Sequence, residues 1–360
     1  MATYLNRSIS TSTDNNKFTI SVWIKKTEIV SSDFIAILTS QLSGASTTGI
    51  GLWFKNDSIA FLNEISSTNY NENVTSAVYR DTNGWYHIVV NGDTSQSGSD
   101  KLKFYVNGEQ ITSFSTDNRS TFVGISNSLG NTTYDNYIGR KYDGNYQFSG
   151  LMTHFHFIDG TAYDADTFGQ TDSASGIWKP KISPSVTYGT NGFFLDFANS
   201  SDLGNDVSGN DNDFTMSGSG TQTLDTPSNV FATMNPLDNL YAGSTFSNGN
   251  TTIATGTSEY SSNTGTLGVS SGKYYWEVEY DSGTNLAHIG IKSKQDTANS
   301  QGTGTQSTDY AYRAFNGDYF NNATSTSYGN TYTNGDIIGV ALDLDNNKLY
   351  FAKNGTWQNQ

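Results

Sequence analysis

Hydrophobic and polar residues alternate along most of this chain. Between residues 17 and 26, Phe18, Ile20, Val22 and Ile24 fall on one side of an extended backbone, and Thr19, Ser21, Trp23 and Lys25 on the other. A period of two marks a strand that buries one face. The same reading predicts strands over residues 33–39, 49–55, 58–62, 85–90, 101–106, 136–140 and 148–158. Asn56-Asp57 and Asn107-Gly108 punctuate these runs. The second pair predicts a type I′ hairpin, because both central positions of that turn need positive φ. No stretch of ten residues holds a helical period. Residues 1–180 therefore read as an all-β sandwich.

The pattern changes over residues 181–240. Pro184, Pro227 and Pro236, three of the four prolines, lie there. One strand is predicted over Asn191–Phe197, followed by the polar loop Asp206–Asp213. This stretch reads as a structured connector, because its aromatic residues need somewhere to pack. From Tyr241 the alternation resumes. Tyr274, Trp276, Val278 and Tyr280 share one face, opposite Tyr275, Glu277 and Glu279. A last hairpin turns Ile338, Val340, Leu342 and Leu344 inward. The expectation is two β-sandwich (jelly-roll) domains in series, 1–180 and 241–360, joined by a connector over 181–240.

Composition narrows the function. The 360 residues are 34% hydrophobic, with 22 Tyr and 20 Phe supplying much of the core. The net charge of −15 and the lack of any Lys/Arg cluster argue against binding nucleic acid or anionic lipid. There is no Cys, so no disulfide or thiolate metal site can form. No apolar run approaches the ~20 residues needed to span a bilayer. The N-terminal residues lack the apolar stretch of a signal peptide, so a soluble, cytosolically made protein is expected, one that leaves by lysis if it works outside.

Several segments carry a family resemblance. Residues 18–25, 84–90 and 103–108, together with Tyr137-Ile138-Gly139-Arg140 and 148–162, resemble in order and spacing the laminin-G-like, or concanavalin-A-like, jelly roll. Residues 272–278, 289–291, 335–340 and 351–355 resemble successive strands of a SPRY domain. The stretch through Gly176-Ile177-Trp178-Lys179-Pro180 is similar to a tail seen in tailed-bacteriophage virion proteins. The SPRY resemblance implies further strands after the Asn354-Gly355 turn, so the domain is expected to be completed elsewhere.

Candidate chemistry is sparse. Concanavalin-like glycosidases set Glu and Asp at alternate positions of one strand, and the first domain lacks such a strand. Glu277 and Glu279 share a face, expected to meet solvent. His154 and His156, two apart in a strand, could ligate a metal with a third donor, or could line a polar sheet face. Asp206, Asn210, Asp211 and Asp213 offer oxygen donors at short intervals, so calcium is a possible ion beside the plainer reading of an Asx-rich turn. Tyr310, Tyr312, Arg313 and Tyr319 combine the residue types favoured at binding hot spots, although alternate tyrosines in a strand also suit a core. Trp23, Trp85, Trp276 and Phe351 read as core.

Taken together, the resemblances imply a non-enzymatic virion surface protein. A tail-fibre or receptor-binding component is expected, working as a homo-oligomer with other virion proteins and recognising a host surface glycan or protein. A capsid-decorating or head-fibre protein is the alternative, and a glycan-degrading enzyme a third.

Overall fold

The computed structural model describes residues 3–359 except 14–15, 30–33, 43–48, 67–68, 126–128, 130, 174, 241–242, 256–260 and 294–301. Asp33 and Tyr241 thus lie outside the described residues. The chain is all-β and divides into two compact units in series, Met1–Phe231 and Ala232–Gln360.

The first unit stacks two antiparallel sheets. One has eight strands in the order Phe114–Thr116, Asn69–Thr75, Ser58–Ser66, Gly49–Lys55, Phe34–Leu42, Tyr134–Ile138, Tyr4–Ser8 and Thr215–Ser217. The other has six, in the order Phe193–Leu195, Gly150–Asp159, Lys17–Lys26, Tyr86–Asp93, Leu102–Val106 and Glu109–Gln110. The predicted hairpin is present: Asn107 and Gly108 have φ of 51° and 88°. Phe18, Ile20, Val22 and Ile24 are fully buried between the sheets. Phe18 stacks on Phe61 of the facing sheet, with ring centroids 5.6 Å apart. Each such side chain contributes about 1.5–3 kcal/mol by leaving water.

The second face of the six-stranded sheet is also buried, which alternation alone does not predict. Thr19, Ser21, Trp23, Lys25, His87, Asn91 and His156 are all covered. Residues 161–188 form a strap across this face. Thr19 Oγ1 donates to the Thr161 carbonyl at 2.9 Å, and Asn91 Nδ2 to the Tyr163 carbonyl at 2.8 Å. Tyr105 donates its hydroxyl proton to Asp164 at 2.6 Å. Ala165 and Trp178 pack on Val89 and Tyr105. Nearer the end of the Lys17–Lys26 strand, Asp225 seals the face. Its carboxylate takes Lys25 Nζ at 2.6 Å and the Trp85 indole N–H at 2.8 Å.

The stretch expected to be a connector therefore belongs largely to the first unit. Phe193–Leu195 pairs with Gly150–Asp159 as an edge strand, and Thr215–Ser217 pairs with Tyr4–Ser8. Phe193, Leu195 and Phe214 join the core, because their apolar surface has a better partner there than in solvent.

The second unit carries two four-stranded antiparallel sheets. One runs Lys273–Tyr280, Asp336–Asp343, Lys348–Lys353, Thr356–Trp357. The other runs His288–Ile291, Tyr310–Arg313, Asp318–Asn321, Thr324–Ser327. Their shared core is Tyr312, Ala314, Tyr332, Ile338, Val340 and Phe351, with Trp276 and Tyr280 packed against it. Leu344 falls one residue past the strand end and is only half-buried. Two short hairpin-like pairs precede these sheets: Met234–Leu240 with Ser262–Gly265, and Thr245–Ser247 with Thr252–Ala254.

Candidate functional site

The histidine pair is built into the frame. The pairing of Gly150–Asp159 with Lys17–Lys26 slips between Thr153 and His156, and His154 has φ of +47°. This is a β-bulge. Phe155 and Phe157 still reach the core. His156 stacks on Phe194 at 4.0 Å, and its Nδ1 lies 2.9 Å from the Tyr188 hydroxyl. His154 Nδ1 lies 3.0 Å from Thr153 Oγ1. Burial lowers the pKa of both, and further that of His156. A third imidazole, His87, lies on the same covered face, between Trp23 at 4.7 Å and Trp178 at 6.0 Å.

The Asp206–Asp213 loop turns its oxygens on itself. Asp206 Oδ1 accepts from the N–H of Phe194 and of Ser208, and Oδ2 from the Ser208 hydroxyl and the Asn212 N–H. Asp213 accepts from the Asp206 N–H. Asn210 spends its amide on the Gly189 and Gly192 carbonyls. Asp211 lines a shallow polar depression of about 370 Å³ beside Arg7, Asn212 and Asp213. Burial lowers the Arg7 pKa, and Asp206 and Asp213 oppose that shift. Among the described residues, no group of three or more His, Asp or Glu side chains is placed to hold a metal ion.

The four residues singled out in the second unit divide across one sheet. Tyr312 is fully buried, stacks on Phe351 at 5.5 Å and gives its hydroxyl to the Asn330 carbonyl. Burial pushes its pKa up to about 12. It is core packing, not a surface contact. Tyr310 and Tyr319 stack at 6.0 Å at the margin of the same face. Arg313 takes the opposite face, over Phe315 at 4.4 Å and Phe320 at 4.5 Å, with Nε 3.2 Å from His288 Nε2. Glu277 is exposed and accepts the Tyr275 hydroxyl at 2.7 Å.

Sequence reasoning missed a groove on the outer face of the eight-stranded sheet. Along Gly49–Lys55 the outward positions are Gly49, Gly51, Trp53 and Lys55, since Ile50, Leu52 and Phe54 fill the core. The two glycines lower the floor. The Trp53 indole lies over the first of its neighbours: a Cβ on Gly51 would sit 1.8 Å from Trp53 Nε1. Phe34, Trp53 and Tyr146 meet edge-to-face, with centroids 5.7–5.9 Å apart. The Tyr146 carbonyl accepts from the Ala36 N–H at 2.7 Å, which fixes the loop carrying that ring. Thr39, Gln41 and Lys141 supply polar groups around a cavity of about 170 Å³. Among the described residues, no carboxylate lines it. The signal available in the sequence was Gly49-x-Gly51-x-Trp53, two missing side chains followed by a large ring on one face.

Comparison with known proteins agrees with the fold. Residues 3–166 match the family model of the Concanavalin A-like lectin/glucanases superfamily, and residues 273–359 that of the SPRY domain. The chain thus carries a laminin-G-like, concanavalin A-like lectin domain followed by a SPRY domain. Ran-binding protein 9 and Ran-binding protein 10 of Danio rerio are each 35% identical over 86 residues. That alignment takes in 23% of this chain and 14% of either relative, so the chain spans about a seventh of their length. Among solved structures, the heptameric SAP-like pentraxin of Limulus polyphemus aligns at 12% identity and a TM-score of 0.32, over 45% of this chain and 71% of that one. The Ruminococcus gnavus IT-sialidase CBM40 aligns at 17% identity and a TM-score of 0.29, over 41% and 86%.

Proposed function

We propose that this chain is a non-enzymatic recognition protein of a virion surface, a tail-fibre or receptor-binding component that engages a glycan or protein on its host. One contrast carries this reading. Several groups able to do acid–base chemistry are engaged within the frame: His87, His156 and Asp206 each have protein hydrogen-bond partners. The side chains suited to contact stand at the surface, with Tyr146, Tyr275, Tyr350 and Trp357 all exposed. Large aromatic rings with a polar handle are the common anchors of recognition surfaces. A lectin-superfamily domain and a SPRY domain in one chain support the same reading.

The test is a glycan array and a host-cell adsorption assay with the purified chain, beside electron micrographs of labelled particles. Binding to cells or to a defined glycan class, with label at the fibre tips, is the expected result. Label on the head with no adsorption would make it a capsid decoration, and turnover of a polysaccharide would make it an enzyme.

A further inference from the structure

We propose that the groove bounded by Phe34, Trp53 and Tyr146 is a saccharide site that takes a single pyranose ring. This rests on the recognition reading and gives it a place and a ligand class. The argument starts from the strand pattern. A sheet face exposed to solvent commonly carries polar residues at alternate positions. Here the three consecutive outward positions are Gly49, Gly51 and Trp53. The glycines leave the backbone of the sheet as a floor, and the indole lies along it.

The walls decide the ligand. A pyranose presents flat patches of C–H on its faces and hydroxyls around its rim. Rings such as Trp53 and Tyr146, set at 87° to one another, offer an apolar face and an adjoining edge to such a body. Thr39, Gln41 and Lys141 stand where rim hydroxyls need partners. At the floor, Trp53 Nε1 rests on Gly51 and has no hydrogen-bond partner among the described residues. Buried donors are paired in the great majority of cases, so an unpaired one at the base of a groove asks for an acceptor. The small cavity, about 170 Å³, suits one ring rather than a long chain.

The experiment uses the whole chain and a panel of methyl pyranosides: glucoside, galactoside, mannoside and N-acetylglucosaminide. Saturation-transfer NMR and tryptophan fluorescence read binding. The expected result is transfer to at least one glycoside, weakened roughly tenfold or more by Tyr146→Ala and by Trp53→Ala. Tyr146 is exposed, so its variant keeps the fold even where Trp53→Ala does not. Leu286→Ala, an exposed position in the other unit, leaves the affinity unchanged. Glycoside binding indifferent to Tyr146→Ala overturns the groove and leaves the recognition reading standing. The same holds when the array or the cells bind the chain but no glycoside does. Silence from panel, array and cells together overturns both.

Discussion

The Trp178 indole N–H donates to Nδ1 of His87 across 3.0 Å. Because an indole can only donate, Nδ1 must be the unprotonated nitrogen. The ring proton then sits on Nε2, which lies 2.8 Å from Ser21 Oγ and donates to it. The strap is therefore fastened to the sheet through a neutral imidazole. Burial, with a smaller push from nearby His154, holds the His87 pKa down to about 3.

Acid should accordingly weaken the first unit in a defined window. The folded-state pKa of His87 lies below the unfolded value of about 6.5, so the unfolded chain takes up a proton first. Its contribution is full above about pH 6.5 and is lost as pH falls toward 3. By pH 5 the loss is roughly 2 kcal/mol for such an imidazole, and His156 behaves alike. Carboxylates held low, such as Asp57 and Asp117, act only below about pH 4. Urea unfolding between pH 7 and 5 reads the effect. A flat profile there would contradict the buried neutral histidines, and His87→Gln should flatten it in part.

Lys25 and Asp225 make a second fastening that can be tested separately. Their charged atoms are 2.6 Å apart and both side chains are almost wholly buried. Asp225→Ala would leave the ammonium buried without its carboxylate and free the Trp85 indole N–H. A loss of about 3–5 kcal/mol is expected. The double variant Lys25→Met/Asp225→Leu should recover much of it, because an apolar pair of similar size needs no desolvated charge. Denaturant midpoints of the three variants check this. Equal losses in the single and double variants would show that the charge itself is not the issue.

Much of this architecture was legible and part was not, for a physical reason. Alternation found the Lys17–Lys26 strand and its core face, and Asn107-Gly108 found the hairpin. Alternation also placed Thr19 and Ser21 on the face opposite the core, which normally meets water, and it gave His87 no face. They are buried because the strap bonds Thr19 and His87 directly and Ser21 bonds His87 in turn, and no local pattern announces that a segment 142 residues beyond Thr19 will lie there. The reach of residues 181–231 into both sheets escaped for the same reason. Tyr310, Tyr312, Arg313 and Tyr319 were identified by residue type, but only the pairing of Tyr312 with Tyr319 shows which side each takes.

Tyr312 should behave as core in any assay. Tyr312→Ala is expected to destabilise the second unit by about 3–5 kcal/mol, as large aromatic truncations in cores do. Tyr312→Phe, which removes only the hydroxyl given to Asn330, should cost about 1 kcal/mol. Tyr310→Ala should move stability far less, since that ring is only half-buried. Thermal melts of the three rank them. Tyr312→Ala melting like the native chain would remove Tyr312 from the core.

Gly49 and Gly51 face the same groove, yet a methyl group on each should do different things. On Gly49 it would meet the Ser40 carbonyl oxygen at 2.0 Å, part of the neighbouring strand. The backbone cannot step aside without breaking the ladder between Gly49–Lys55 and Phe34–Leu42, so Gly49→Ala should destabilise the unit by about 1–3 kcal/mol. On Gly51 the nearest atoms the methyl meets belong to the Trp53 ring, which can turn outward. Gly51→Ala should therefore leave the unfolding midpoint nearly unchanged. It should shift tryptophan emission to longer wavelength as the indole leaves its bed, and weaken any ligand that stacks there. Unfolding curves and emission spectra of the two variants separate these outcomes. A Gly51→Ala protein with native emission would mean that the indole does not rest on that glycine.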